Sequence, residues 1–146
     1  MQKDKTAGAV SMSPELINLP RVENPRGNLA IIEEEKHIPF KIERVYWVYD
    51  VPGGEAREGY ALKEQQELIV ALSGSFDVLV SDGKVKRFFT LNRSYQGLFL
   101  PASLWRQMRN FSTNSLALVL CSSRYDPEDY IRDYQLFLNY LGHHEK

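Results

Sequence analysis

The stretch ELIVALSGSFDVLVSDGKVKRFFTL, residues 67–91, decides the fold. Apolar, β-branched and aromatic residues fill two runs, and the Asp82-Gly83 pair between them is a hairpin signal. Similar runs lie on either side. KIERVYWVYDV, residues 41–51, precedes it, and GLFLP (97–101) and SLALVLCS (115–122) follow. Pro101 ends one of these runs, because proline has no N–H to give to a sheet ladder. Strands spaced this closely, with no helices between them, indicate an antiparallel sandwich or barrel.

The C-terminal part reads differently. In YDPEDYIRDYQLFLNYLG, residues 125–142, Asp126 suits an N-cap, Pro127 the first helical position, and Glu128 and Asp129 the positive end of a helix. Tyr130, Ile131, Tyr134, Phe137, Leu138 and Leu141 recur at helical spacing, with Gly142 as the expected stop. The expected architecture is therefore all-β, a jelly-roll barrel with one C-terminal α-helix. Its boundaries are a flexible tail over residues 1–13, one domain over 14–142 and a short tail over 143–146.

Composition narrows the function. A chain of 146 residues, 43% of them hydrophobic, fits a single domain with a real core. Eighteen basic and nineteen acidic side chains leave a net charge of -1, so no global field gathers nucleic acid or anionic membrane. An anionic ligand must be caught locally. The lone Cys121 excludes an internal disulfide and a thiolate cluster, which suits a reducing cytoplasm. MQKDKTAGAV lacks the apolar run of a signal peptide, and no stretch reaches the ~20 apolar residues of a spanning helix.

The chemistry-bearing segment is GGEAREGYALKEQQELIVALSG, residues 53–74. Gly54, Tyr60, Leu62, Glu67 and Gly74 keep the spacing at which small β-barrels hold a metal with two histidines and a glutamate. Here the histidine slots carry Tyr60 and Leu62. The second half of that pattern is PASLWRQMRN, residues 101–110, where the third histidine slot is Arg106. A guanidinium stays protonated and has no lone pair to give, so of the four ligand slots only Glu67 can coordinate. No metal is expected. His37, His143 and His144 lack ligand spacing. Tyr60 and Leu62 also read simply as barrel filling. Strand parity puts those two on one face and Glu67 on the other unless a bulge intervenes. Arg57, Lys63 and Arg106 flank this window. Three cations converging on one barrel mouth call for an anion, and a phosphate-bearing ligand is the simplest partner.

These blocks, together with NPRGNLAIIEE, IPFKIERVYWVYD and LNRSYQGLFLPASLWRQMRNFSTNSLALVLCSSRYDPEDYIRDY, resemble the nucleoside-diphosphate-sugar 3,4-ketoisomerases, WxcM-like cupins. The likeness runs from about Pro20 to Tyr140. It implies a metal-free and cofactor-free cytoplasmic homodimer that converts dTDP-4-keto-6-deoxyglucose to its 3-keto isomer for deoxyaminosugar and surface-polysaccharide biosynthesis. By position it implies substrate contacts from Arg26, Tyr46, Arg57, Lys63, Glu67 and Trp105, with Tyr60 and Arg106 as the catalytic pair. Family members have HAH or HAY where this chain has Tyr60-Ala61-Leu62, and the first histidine of that segment is the one expected to do acid/base work. Tyrosine, with a reference pKa of about 10, serves as a base at neutral pH only if cations depress it. Arg57, Lys63 and Arg106 are the cations expected to do so. The alternative is a dTDP-sugar-binding barrel with weak or no turnover.

Overall fold

A computed structural model describes residues 13–144. The expected N-terminal tail therefore lies, apart from Ser13, outside the described residues. Twelve strands build the domain: β1 Glu15–Asn18, β2 Arg21–Val22, β3 Leu29–Ala30, β4 Arg44–Tyr49, β5 Tyr60–Leu62, β6 Glu67–Ser73, β7 Phe76–Ser81, β8 Lys86–Leu91, β9 Gln96–Leu100, β10 Trp105–Arg109, β11 Leu116–Cys121 and β12 Tyr130–Ile131. One antiparallel sheet runs β1-β9-β6-β11-β4, and a second runs β12-β5-β10-β7-β8. The two five-stranded sheets pack face to face as a jelly roll, and β2 and β3 form a separate two-stranded ribbon.

The hairpin read at Asp82-Gly83 joins β7 to β8. Asp82 Oδ1 accepts from the amides of Lys84 and Val85, and Gly83 takes the positive φ of 95° that the turn requires. Between the sheets lies the main core, in which Ile69, Phe76, Val78, Leu98, Met108 and Val119 interdigitate. β6 is covered on both faces, because Leu68 and Val70 point outward beneath Ile38, Phe40 and Phe99. That is why its sequence is a continuous apolar run and not an alternating one.

The C-terminal helix corrects the sequence reading. Asp126 does cap, accepting from the Glu128 amide, and Pro127 does follow it, but the turn they start is a 3-10 turn of three residues, Pro127–Asp129. Tyr130 and Ile131 then pair with Leu62 and Ala61 as β12, and the α-helix, α1, covers Tyr134–His144. Sheet pairing has overridden the local helical period at its first turn. The helix also runs past Gly142 to His144, so the expected stop is not used. α1 lies on the outside of the second sheet, where Phe137 and Tyr134 pack with Ala61, Ile131 and Trp105. Among the described residues no helix is long and apolar enough to cross a membrane.

Candidate active site

The interior of the jelly roll is apolar except at one end, where inward-facing positions of five strands are polar. β6 contributes Glu67, β10 Arg106, β5 Tyr60, β4 Tyr46 and β11 Cys121. Ladder register sets their neighbours: Arg106 lies opposite Tyr60, and Cys121 opposite Glu67. The parity conflict between Tyr60 and Glu67 does not arise. β5 and β6 belong to opposite sheets, and residues 63–66 carry the chain from one to the other, so both side chains point inward.

Glu67 is the hub. It is 0% exposed, as is Arg106, whose Nη1 donates to Glu67 Oε1 at 2.6 Å. Tyr60 Oη donates to the same oxygen at 3.2 Å. Glu67 Oε2 accepts from Gln65 Nε2 at 3.2 Å and from Tyr46 Oη at 3.4 Å. The two phenol oxygens lie 3.0 Å apart. Arg106 Nη2 donates to the Leu104 carbonyl, and Ser123 fixes Gln65 from behind through its Oε1. A carboxylate and a guanidinium buried this completely are tolerable because each neutralises the other and their remaining sites are largely filled.

This arrangement reverses the expectation for Tyr60. Burial raises its pKa above the ordinary tyrosine value, the negative charge of Glu67 raises it further, and Arg106 offsets these only in part. Burial and Glu67 likewise raise Tyr46. Both phenols are neutral at physiological pH. The Cys121 thiol, buried and 3.8 Å from Glu67 Oε2, is pushed up to about 12, and it too stays protonated. Burial alone would lower the Arg106 pKa, but Glu67 and the two phenols leave it raised, so the guanidinium is permanently charged.

Above this network opens a cavity of about 370 Å³. Tyr46 and Tyr60 lie at its polar end, with Val48 and Met108 as apolar wall. Arg57, Glu58 and Arg132 also line it. Of the expected residues, Tyr46, Tyr60 and Arg57 therefore meet in one cavity, with Glu67 and Arg106 bonded directly beneath the phenols. The other three are placed elsewhere. Trp105 faces the opposite side of β10, edge-on to Tyr134 with ring centroids 5.3 Å apart. Lys63 follows the end of β5, where its amide donates to the Asp129 carbonyl, and it does not line the cavity. Arg26 sits exposed in the turn between β2 and β3, its amide bonded to Asn24 Oδ1. The expected convergence of Arg57, Lys63 and Arg106 on one mouth is not what the fold builds, because Arg106 is sealed below and Lys63 is not among the residues lining the cavity.

The sequence reading passed over Glu58 and Arg132. Glu58 stands in a segment without periodicity. Arg132 arrives from the C-terminal stretch, its guanidinium 4.4 Å from the Tyr130 ring centroid, while Tyr130 in turn tilts against Tyr60 at 5.4 Å. Among the described residues no group of three histidine, cysteine or carboxylate side chains lies together as a metal site would need.

Comparison with known proteins agrees with this architecture. The curated TDP-4-oxo-6-deoxy-alpha-D-glucose-3,4-oxoisomerase of Aneurinibacillus thermoaerophilus is 38% identical over 131 residues, 90% of this chain and 94% of that one. The crystal structure of the WlaRB TDP-quinovose 3,4-ketoisomerase from Campylobacter jejuni superposes with a TM-score of 0.83 at 37% identity, covering 86% of this chain and 97% of that one. A 3,4-ketoisomerase variant from Thermoanaerobacterium thermosaccharolyticum, solved in complex with TDP-4-keto-6-deoxyglucose, has a TM-score of 0.85 at 30% identity, over 87% and 92% of the two chains. The profile of one family matches residues 12–142, nearly the whole chain. With its jelly roll and its long, collinear identity to these enzymes, the chain belongs to the FdtA family, described as WxcM-like, C-terminal.

Proposed function

We propose that the chain is a metal-independent, cytoplasmic 3,4-ketoisomerase of dTDP-4-keto-6-deoxyglucose in deoxyaminosugar biosynthesis. The observation that carries this reading is one cavity with two neutral phenols at its end and two guanidinium groups on its walls. Its substrate follows from the relatives, whose names give TDP-linked 4-keto sugars. Arg57 and Arg132 serve the diphosphate through charge-assisted bonds. The C3 hydrogen is acidic because it is α to the C4 ketone, and its removal gives an enediol shared by C3 and C4. One proton must move from C3 to C4 and a second from the 3-oxygen to the 4-oxygen. The phenols are built for the second transfer. One hydroxyl donates to the oxygen that gains charge as the C3–H bond breaks, and the other accepts from the 3-hydroxyl. Their 3.0 Å contact then lets the proton return, with both groups unchanged at the end. Arg106 acts through Glu67, holding the carboxylate that orients both phenols.

A homodimer is part of the proposal. β4 turns Val45, Trp47 and Tyr49 outward, the last two 58% and 63% exposed, and Trp47 and Tyr49 form an apolar trough on the first sheet with Leu72, Leu116 and Leu118. A second copy of the same face is the self-complementary partner such a surface fits.

A second reading, a dTDP-sugar-binding barrel with little turnover, is favoured by one observation: among the described residues no imidazole lines the cavity. Incubation with dTDP-4-keto-6-deoxyglucose in D2O, followed by proton NMR, separates the two. Loss of the C3 signal and appearance of the 3-keto isomer support the isomerase. Tight dTDP binding without exchange supports the binding module.

A further inference from the structure

We propose that Glu58 is the carbon base of this site, taking the proton from C3 of the sugar and delivering it to C4. The inference rests on the ketoisomerase reading above and assigns the one role that reading leaves empty. Among the described residues lining the cavity there is no imidazole, so the base must be another group.

The cavity offers few candidates. Val48, Ala56 and Met108 carry no basic group, and Arg57 and Arg132 carry protonated guanidiniums with no lone pair to give. Tyr46 and Tyr60 are neutral phenols held away from phenolate by burial and by Glu67. Glu67 itself is sealed from the cavity at 0% exposure, with one oxygen accepting from Arg106 and Tyr60 and the other from Gln65 and Tyr46. Among the described residues the Glu58 carboxylate is the remaining lining group that can accept a proton from carbon.

Its backbone is also held where a base must be held. The Arg57 amide donates to the Met108 carbonyl at 2.9 Å, and Gln107 Nε2 donates to the Arg57 carbonyl at 3.0 Å. On the other side Gly59 lies flat on Trp105, so close that a Cβ there would come within 2.5 Å of the indole. Tyr60 then joins the ladder opposite Arg106. Glu58 is thus bracketed by fixed points on both sides while the residue lines the open cavity, which suits a group that must come within about 3 Å of a substrate hydrogen's carbon.

The step balances without a co-reactant. The carboxylate takes the C3 proton, the C3–H electron pair becomes the C3–C4 double bond, and the C4 oxygen takes a phenol proton. The 3-hydroxyl proton passes to the phenol pair, C3 becomes the carbonyl, and the Glu58 carboxylic acid returns its proton to C4.

The test compares wild type, Glu58→Gln and Glu58→Asp. For each, C3 hydrogen exchange of dTDP-4-keto-6-deoxyglucose in D2O is followed by NMR, dTDP affinity by calorimetry and folding by thermal melting. The expected result is a loss of exchange of ~100-fold or more in Glu58→Gln, with dTDP affinity and melting temperature held near wild type and part of the rate restored in Glu58→Asp. Exchange in Glu58→Gln within about threefold of wild type would overturn the assignment. So would a loss of exchange matched by an equal loss of dTDP affinity, since Glu58 would then serve binding. A wild type that binds dTDP and exchanges nothing overturns the ketoisomerase reading itself, a distinct result.

Discussion

Replacing Arg106 with methionine removes the positive half of an ion pair that has no access to water. Glu67 would be left at 0% exposure with its charge uncompensated, and the 2.6 Å bond from Arg106 would be gone. Breaking a buried pair in this way costs about 3–5 kcal/mol, against a total stability of about 5–15 kcal/mol for a domain of this kind. At about 2–4 °C per kcal/mol for this chain length, the melting temperature should fall by about 6–20 °C. The companion Arg106→Met/Glu67→Gln variant removes the stranded charge yet keeps an acceptor for Tyr46 and Tyr60. It should regain most of the loss, with a coupling energy of about 2 kcal/mol or more between the two positions. Urea unfolding followed by circular dichroism on wild type, both single variants and the double variant reads this directly. A single Arg106→Met within about 1 kcal/mol of wild type, or a double variant no more stable than that single one, would refute the claim that charge pairing holds this end of the barrel together.

Three further outcomes follow from the geometry. Tyr46, Tyr60 and Cys121 all hold their protons more tightly folded than unfolded, so unfolding releases protons at alkaline pH. Stability should be insensitive to these groups below pH 9, should decline above the ordinary thiol value of 9.0, and should decline more steeply beyond the ordinary tyrosine value of 10.0, as checked by urea midpoints across that range. Arg57→Ala and Arg132→Ala should each weaken dTDP binding about ten- to a hundredfold by calorimetry, whereas Lys63→Ala, which lies outside the cavity, should change it by less than about twofold. If the proposed dimer uses the outer face of β4, wild type should run as a dimer and Trp47→Arg as a folded monomer by light scattering at micromolar concentration, because the side chain projects from that face.

The strands β4, β6, β7, β8, β9 and β11 were legible because their signals are local, an Asp-Gly turn, a proline at a strand end, runs of β-branched residues; β1, β2, β3 and β10 carry no such signal and went unread. The helix start was legible in kind and misplaced in extent. Asp126 and Pro127 carry true cap chemistry, yet the next residues are claimed by β5 across the sheet, and nothing within the segment announces a partner 68 positions away in the register Tyr130↔Leu62. The site divides in the same way. Tyr60, Glu67 and Arg106 stood out because they occupy known slots. The electrostatic sense of Tyr60 did not, since it depends on which charge sits nearest: Arg57 and Lys63 are close in sequence, but Glu67 is the group at 3.2 Å. Glu58 and Arg132 escaped notice because loop carboxylates and helix-flanking arginines are ordinary surface residues until the fold gathers them.

The two tryptophans of the chain stand in unlike places, and this gives the protein a built-in pair of optical reporters. Trp47 stands in the open on the outer trough, so its emission should be red and quenchable in a monomer and shift to the blue when that face is covered. Trp105 is wedged between Gly59 and the rings of Tyr134 and Phe137, one residue from Glu58 through Gly59. In a Trp47→Phe background the remaining indole emits from beside Gly59, next to the segment that carries Glu58. A change in that emission on adding dTDP is the expected signal of cavity filling, read in stopped flow without any label.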